Sequence, residues 1–275
     1  MKVTIENIIS IMRVKYFLDI SCYEESFLEK TVNFRILETQ CGKIDEYIAF
    51  LSGNPSESDL LSDSLNNYYS EFFRNPLTFL MLEQIVFPKV FCEKNNSHSE
   101  EIRIWSAGCS TGQEPYSLAI LAEDYRSTNQ KNVSVRIFAT DKSERELQSA
   151  RKGIYHLRSV QNAKLQYLNK YFSNSGEFYS INSNIRELID FSLLDLLDES
   201  GGAPPTSIYG DFDIIMCSNL LFYYKPEIQK RILTRLCNSL VDSGFLITGE
   251  AEVGIVKTFC KFKQYAAPAA IFIRQ

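Results

Sequence analysis

Two glycines frame the stretch with the most chemical character, Gly108-Cys-Ser-Thr-Gly112 within RIWSAGCSTGQEPYSLAI. A run that reads as a buried strand enters this turn, and a helix leaves it at Glu114-Pro115. Glycine carries no Cβ and tolerates positive φ, so such a turn lets backbone N–H groups approach a ligand closely. Asp141 closes the next strand-like run, in FATDKS, where a carboxylate can accept hydrogen bonds from both hydroxyls of a ribose. Each feature alone has an ordinary explanation, a plain turn or the cap of the following helix. Together, in this order, they favour an adenosine-type cofactor.

The loop has neither GxGxxG nor a Gly-Lys-Ser/Thr ending, so it carries no nicotinamide fingerprint and no phosphate cradle. Glu114 places an anion where a pyrophosphate would want backbone N–H groups. A cationic sulfonium and amino group suit that anion, which points to S-adenosyl-L-methionine. The chain has only two histidines, His98 and His156, too little material for a Ser-His-Asp triad or a His-rich site, and no metal is expected. His98, in EKNNSHSEE, reads as a solvated loop residue. Cys109 and Cys217 read as small buried residues, since nothing cationic adjoins them in sequence.

The elements that must position these residues follow from the pattern. At 275 residues, 45% apolar and 23% charged, the chain can hold one large domain or a small and a medium one, folded throughout. The first 75 or so residues read as helices, with apolar residues at three- and four-residue spacing in IENIISIMRVKYFLD, EESFLEKTVNFRILETQ and KIDEYIAFLSG. LTFLMLEQIVFPKVF is apolar enough for a helix packed under the next domain. From Ile102 strands and helices alternate: IRIWSA, VSVRIFATD, IDFSLLD, DFDIIMCSN, GFLITGE and a closing pair, with helices between them. Alternation of this kind means a mostly parallel sheet covered on both faces, whose ligands sit beyond the carboxyl ends of the strands. LDESGGAPPTSIYGD reads as a solvent-exposed linker.

Bulk properties exclude several classes. A net charge of −5 with no Lys/Arg run argues against a nucleic-acid binder. No window approaches the apolar length of a membrane span, and seven cysteines without a CxxC pair fit a reducing compartment, so a cytoplasmic protein that is not membrane-inserted is expected.

RIWSAGCSTGQEPYSLAI resembles the signature of the CheR-type chemotaxis receptor methyltransferases, which methylate glutamate side chains. The likeness continues in the family's order through SEFFRNPLTF, ATDKSERELQSARKGIY, FSLLDLL, DFDIIMCSNLLFYY and FLITGEAE, over roughly residues 60 to 252. The resemblance implies an α/β, Rossmann-like S-adenosylmethionine-dependent methyltransferase sheet with a reversed last strand and a small N-terminal all-α domain. Residues 1–76 would form the helical domain and 77–275 the methyltransferase domain, with a short β insert near 173–190 around Gly176. It also implies S-adenosyl-L-homocysteine as product and a protein substrate of the chemoreceptor helix-bundle kind.

Carried over by position, Ser70 and Arg74 would face the cofactor from the side of the helical domain. Gly108 belongs to the cofactor loop, Glu114 would hold the methionine moiety, Asp141 the ribose, and Asp195 with Leu196 the adenine. Asn219 and Leu220 would floor the transfer site, and Arg74 and Tyr223 would stand near the reacting centre. A carboxylate acceptor is already the nucleophile at neutral pH, so the site needs alignment and removal of water rather than a general base.

Three features depart from the family pattern. Ser218 stands where the family has an Arg that could hold the acceptor carboxylate, and Tyr68 where it commonly has Asn. Residues 1–74 contain 7 Lys/Arg against 12 Asp/Glu, which disfavours an acidic partner. Two alternatives therefore stand beside the receptor reading: a methyltransferase with another protein or small-molecule acceptor, and a cofactor-binding regulatory protein without transfer activity.

Overall fold

The structure, a computed structural model, describes residues 2–66, 70–95, 101–129, 132–198, 202–207 and 210–274. The expectations for Tyr68 and His98 fall outside these residues. Its contacts divide the chain into two compact units, residues 1–68 with 222–229, and residues 69–221 with 230–275.

The first unit holds α1 (Lys2–Tyr16), α2 (Glu25–Glu38), α3 (Ile44–Gly53) and α4 (Pro55–Ser64). Asn54 ends α3 and starts α4: its side chain accepts from the Ser56 N–H, and Pro55 follows at the first helical turn, where its missing donor is harmless. Ile8, Met12, Leu28, Val32, Tyr47, Leu51 and Leu61 are buried between the helices. Among them, Arg35 Nε and Nη2 donate to Glu57 Oε1 and Oε2 at 2.9 and 2.8 Å, and the Tyr47 hydroxyl donates to Oε1 at 2.8 Å. One buried carboxylate thus ties α2, α3 and α4 with its charge matched and bidentate. Residues 222–229 are clasped to the turn before α2: the Glu24 N–H donates to the Tyr223 carbonyl at 2.8 Å, and the Lys225 N–H to that of Cys22 at 3.0 Å.

The second unit opens with α5 (Pro76–Met81), a π-helical turn over Leu82–Val86, and α6 (Phe87–Asn95). The widened turn directly precedes Pro88, which has no N–H to give and whose ring crowds a regular helix. The main sheet comprises β1 (Glu101–Ala107), β2 (Ser134–Asp141), β6 (Ile189–Leu193), β7 (Phe212–Cys217), β8 (Leu240–Thr248), β9 (Lys263–Gln264) and β10 (Ile271–Ile273). Their order is β6-β2-β1-β7-β8-β10-β9, parallel from β6 to β8, with β10 running against both its neighbours. This is the reversed strand expected from the sequence. Every residue of β7 is buried, as a central strand covered on both faces requires.

Helices α7 (Gln113–Thr128), α8 (Glu144–Lys152), α9 (Leu165–Tyr171), α10 (Ser183–Arg186), α11 (Pro226–Asn238) and α12 (Val253–Phe259) link the strands. A second sheet, β3-β5-β4, pairs Ile154–His156 (β3), Phe178–Ile181 (β5) and Phe172–Ser175 (β4) in antiparallel fashion. From β1 the chain moves outward to β2 and β6, then returns to lay β7 on the other side of β1. The strand order therefore reverses between β1 and β7, the place where open α/β sheets leave a crevice at the strands' carboxyl ends.

The exposed-linker reading of residues 197–211 holds at Asp198, Gly202, Pro205, Thr206 and Asp211 and needs correction at three other positions. Pro204, Ser207 and Gly210 are buried. Arg103 on β1 donates to Ser207 Oγ at 2.7 Å and to the Gly210 carbonyl at 3.2 Å, so the segment is pinned to the sheet.

Candidate active site

The crevice is built on β1 and the turn after it. The N–H groups of Gly108 and Cys109 both donate to the Thr140 carbonyl at the end of β2, at 2.8 and 2.9 Å, which swings the chain out of the sheet. Gly108 adopts φ +78°, and a Cβ there would lie 2.6 Å from Leu220 Cδ1, so the loops after β1 and β7 meet where only glycine fits. Gly112, at φ +93°, begins α7, and a Cβ on it would strike Ala150 at 2.8 Å. The Tyr155 hydroxyl of β3 donates to the Thr111 carbonyl at 2.7 Å and braces the loop from outside.

Asp141 receives two backbone N–H groups, from Ser110 on Oδ2 at 2.8 Å and from Ser143 on Oδ1 at 2.9 Å. Burial pushes its pKa up and these donors pull against that. The carboxylate is thus fixed in direction, and each oxygen keeps acceptor capacity. Asp141 also holds the next segment, since its carbonyl accepts from the Leu194 N–H at 3.0 Å. Beyond it, Asp195 Oδ1 accepts from the Leu197 N–H at 2.8 Å, and Leu196 is half-buried.

Glu114, in the first turn of α7, accepts from Ser106 Oγ of β1 at 2.8 Å. Burial raises its pKa to about 7, and the buried Glu252 carboxylate adds to the rise. Hydrogen bonding from Ser106 and the nearby Arg74 guanidinium oppose it. Ser218 Oγ faces the same carboxylate and eases its charge, yet it is buried without a fully formed hydrogen bond. Cys109 and Cys217 are buried and their thiols are pushed well up by desolvation, in keeping with packing residues.

Glu252 was not legible as a site residue, yet it shapes the floor. Its Oε2 accepts from the N–H groups of Gly249 at 2.6 Å and Asn219 at 3.0 Å, its Oε1 from those of Leu220 at 2.8 Å and Leu221 at 2.7 Å. Four backbone donors converge on one buried carboxylate and hold Asn219 at φ +60°. A sequence signal exists in ITGEAE, an acid just past a strand end, but nothing there separates exposed Glu250 from buried Glu252.

Strain gathers in the same place. Of the eight described non-glycine residues with positive φ, four are site residues or stand within two positions of one: Phe73 (52°), Asn75 (60°), Ser110 (49°) and Asn219. Phe73 and Asn75 flank Arg74. The Phe73 N–H donates to Ser117 Oγ at 3.0 Å, and its ring packs on Phe79 and Tyr167. Backbone held in such regions costs about 1–3 kcal/mol per residue and concentrates where function over-determines it.

The predicted residues divide accordingly. Gly108, Glu114, Asp141, Asn219 and Leu220 come together at the crevice with Arg74 close enough to act on Glu114, and Asp195 and Leu196 continue from Asp141. Ser70 is half-buried four residues before Arg74, with no described contact to the others. Tyr223 belongs to the other compact unit, its ring 4.5 Å from that of Phe27. Arg235 of α11 is a further residue that periodicity does not reveal. Its Nη1 donates to the carbonyls of Asp195, Leu196 and Asp198 at 3.0–3.2 Å and its Nε to that of Gly202 at 3.0 Å, gathering the segment after β6 onto one guanidinium.

A mostly parallel sheet with one reversed strand, a glycine loop after β1, an acid ending β2 and an acid opening the first helix define an S-adenosyl-L-methionine-dependent methyltransferase. The residues fit that cofactor: the loop admits close backbone approach, an anion awaits a cationic group, and Ser218 Oγ is a buried polar atom still short of a full partner. More closely, the chain belongs to the CheR family, whose model, "CheR methyltransferase, SAM binding domain", matches residues 68–270. It is 28% identical to the chemotaxis protein methyltransferase of Borreliella burgdorferi, covering 90% of this chain and 87% of that one. It is 32% identical to chemotaxis protein methyltransferase 1 of Pseudomonas aeruginosa, covering 70% and 69%. Among solved structures, PKMT2 from Rickettsia typhi in complex with AdoHcy shows 17% identity and a TM-score of 0.36 over 66% of this chain and 26% of that one. Among the described residues, no helix is long and apolar enough to cross a membrane.

Proposed function

We propose that this methyltransferase acts on glutamate side chains of a protein substrate of the chemoreceptor type, forming methyl esters. The observation that carries the reading is a site rich in positioning groups: the half-buried Glu114 and buried Asp141 carboxylates, one nearby guanidinium, Arg74, and, among the described residues, no histidine. His156 lies on β3 of the second sheet. An ionised acceptor carboxylate needs no proton removed, so such a site suffices. Relatives named as chemotaxis protein methyltransferases support it.

Bound S-adenosyl-L-methionine supplies an electrophilic methyl group. The chain's residues do the rest. Gly108 lets the loop backbone lie against the ligand, Asp141 takes the ribose hydroxyls, and Glu114 takes the cationic amino end. Asp195 and Leu196 flank the adenine, while Asn219 and Leu220 form the floor that Glu252 holds. Ser70 and Arg74 close the site, Arg74 orienting a carboxylate. With Ser218 in place of Arg, Arg74 takes the part of steering an anionic acceptor. A regulatory protein without turnover is not favoured by membership of a methyltransferase family.

Transfer of labelled methyl to receptor cytoplasmic fragments tests this. The expected product loses its label as volatile methanol in mild alkali, and acceptor Glu→Gln substitutions remove it. Label that survives alkali, or that appears only on a small molecule, would reject the glutamate assignment. Arg235→Met releases the Asp195–Gly202 carbonyls and is expected to weaken S-adenosyl-L-methionine about tenfold, equivalent to about 1.4 kcal/mol. Calorimetry reads this directly, and unchanged affinity would remove the adenine role from that segment.

A further inference from the structure

Outside the cofactor crevice, two thiols face each other. Cys237 on the last turn of α11 and Cys260 just past α12 place their Sγ atoms 3.2 Å apart, and both side chains are half-buried rather than sealed. A disulfide needs about 2.05 Å, so the sulfurs have to close by little more than an ångström. We propose that Cys237 and Cys260 are an oxidation site, a dithiol that a hydroperoxide converts to a reversible intramolecular disulfide ahead of the chain's other cysteines.

The pair has a built-in division of labour. Hydrogen bonding between the two lowers the Cys260 pKa and raises that of Cys237, so Cys260 is the readier of the two to ionise. The thiolate is the attacking species in such chemistry. The Arg274 guanidinium adds positive charge beside the pair, and its Nη1 donates to the Cys237 carbonyl at 3.2 Å. In the first step, Cys260 thiolate attacks one peroxide oxygen, the O–O bond breaks, and sulfenic acid and hydroxide form. In the second, Cys237 sulfur displaces the sulfenic oxygen, which leaves as water with the Cys237 thiol proton, and the proton that Cys260 gave up on ionising neutralises the hydroxide of the first step. Two thiols and one hydrogen peroxide give one disulfide and two waters. The closed loop would contain β8 and Glu252, the segment that holds the crevice floor.

Cys22 and Cys41 are half-buried in the first compact unit, far from the pair in the chain. Cys109 and Cys217 are buried, and Cys92, the most exposed, would oxidise between molecules rather than within one. The test uses the unmutated protein: brief treatment with hydrogen peroxide, quenching by alkylation, then peptide mapping. The expected first product is a monomer about two mass units lighter, with peptides 237 and 260 linked and both thiols restored by dithiothreitol. The oxidised protein should melt higher than the reduced one, since closing the loop restricts the unfolded chain. Cys237→Ser should leave Cys260 trapped as a sulfenic acid by dimedone, and Cys260→Ser should give no linked peptide. Oxidation of Cys92 to a dimer while both thiols of the pair stay alkylable in the unmutated protein would overturn the assignment, whatever the variants do.

Discussion

Glu114→Gln is expected to bind S-adenosyl-L-methionine about 10- to 100-fold more weakly than the parent at pH 8 while making the ligand-free protein more stable there. The first effect is the loss of one charge-assisted bond to a cation, worth about 1.5–3 kcal/mol. The second follows from the raised pKa of Glu114, about 7 in the fold against an ordinary 4.5. As pH rises from 4.5, the unfolded carboxyl ionises while the folded one holds its proton. The group's contribution to stability therefore falls through that window and is fully unfavourable above about pH 7, by as much as about 3 kcal/mol. Partial exposure of the side chain to solvent makes that figure an upper bound. Binding of the cation favours the ionised form, so parental affinity should drop about tenfold from pH 8 to pH 6, and the Gln variant should be flat. Urea unfolding and calorimetry across that range check both halves. A Gln variant as tight as the parent, or a parent whose affinity ignores pH, removes Glu114 from the cation's partners.

Glu252→Gln is expected to have the largest effect on the fold of the sheet unit. Four backbone donors share its two oxygens, two on each. An amide supplies one oxygen and turns its NH2 toward the other two donors. Two buried N–H groups left unmatched cost about 1–3 kcal/mol each, and relief of the buried charge offsets part of this. A net loss of about 3 kcal/mol corresponds to a drop of about 10 °C in a unit of this size. Cofactor affinity should fall with it, because Asn219 has no other described bond holding its N–H at φ +60°. Differential scanning calorimetry with and without S-adenosyl-L-methionine separates the two effects, and a variant that melts like the parent would show that the turn holds itself.

Much of this architecture could be read before any coordinates. Period-two and continuous apolar runs located β1, β2, β6, β7 and β8, because a strand covered on both faces leaves its mark in every residue, as in FDIIMC. The glycine loop and Asp141 were legible for the same local reason: positive φ demands particular residues, and strand ends place acids predictably. The floor was not. Glu252 acts through backbone N–H groups more than thirty positions away, and any sequence at 219–221 presents those N–H groups. Arg235 is hidden likewise, since it binds carbonyls. Strand β3 is three residues long, too short for a periodic signal, and forms only because β5 lies beside it. The exposed-linker reading of 197–211 failed at Ser207 and Gly210 because Arg103, which pins them, stands about a hundred positions away in the chain.

The central claim is that the loop after β1 and the acid ending β2 form the seat of S-adenosyl-L-methionine. Calorimetric titration of the parent protein and of Asp141→Ala with S-adenosyl-L-methionine and its demethylated product tests it most directly. Micromolar binding of both ligands to the parent, abolished by Asp141→Ala in a variant that still melts cooperatively, is the result predicted. A parent that binds neither ligand, or an Asp141→Ala variant that binds as tightly as the parent, would contradict it.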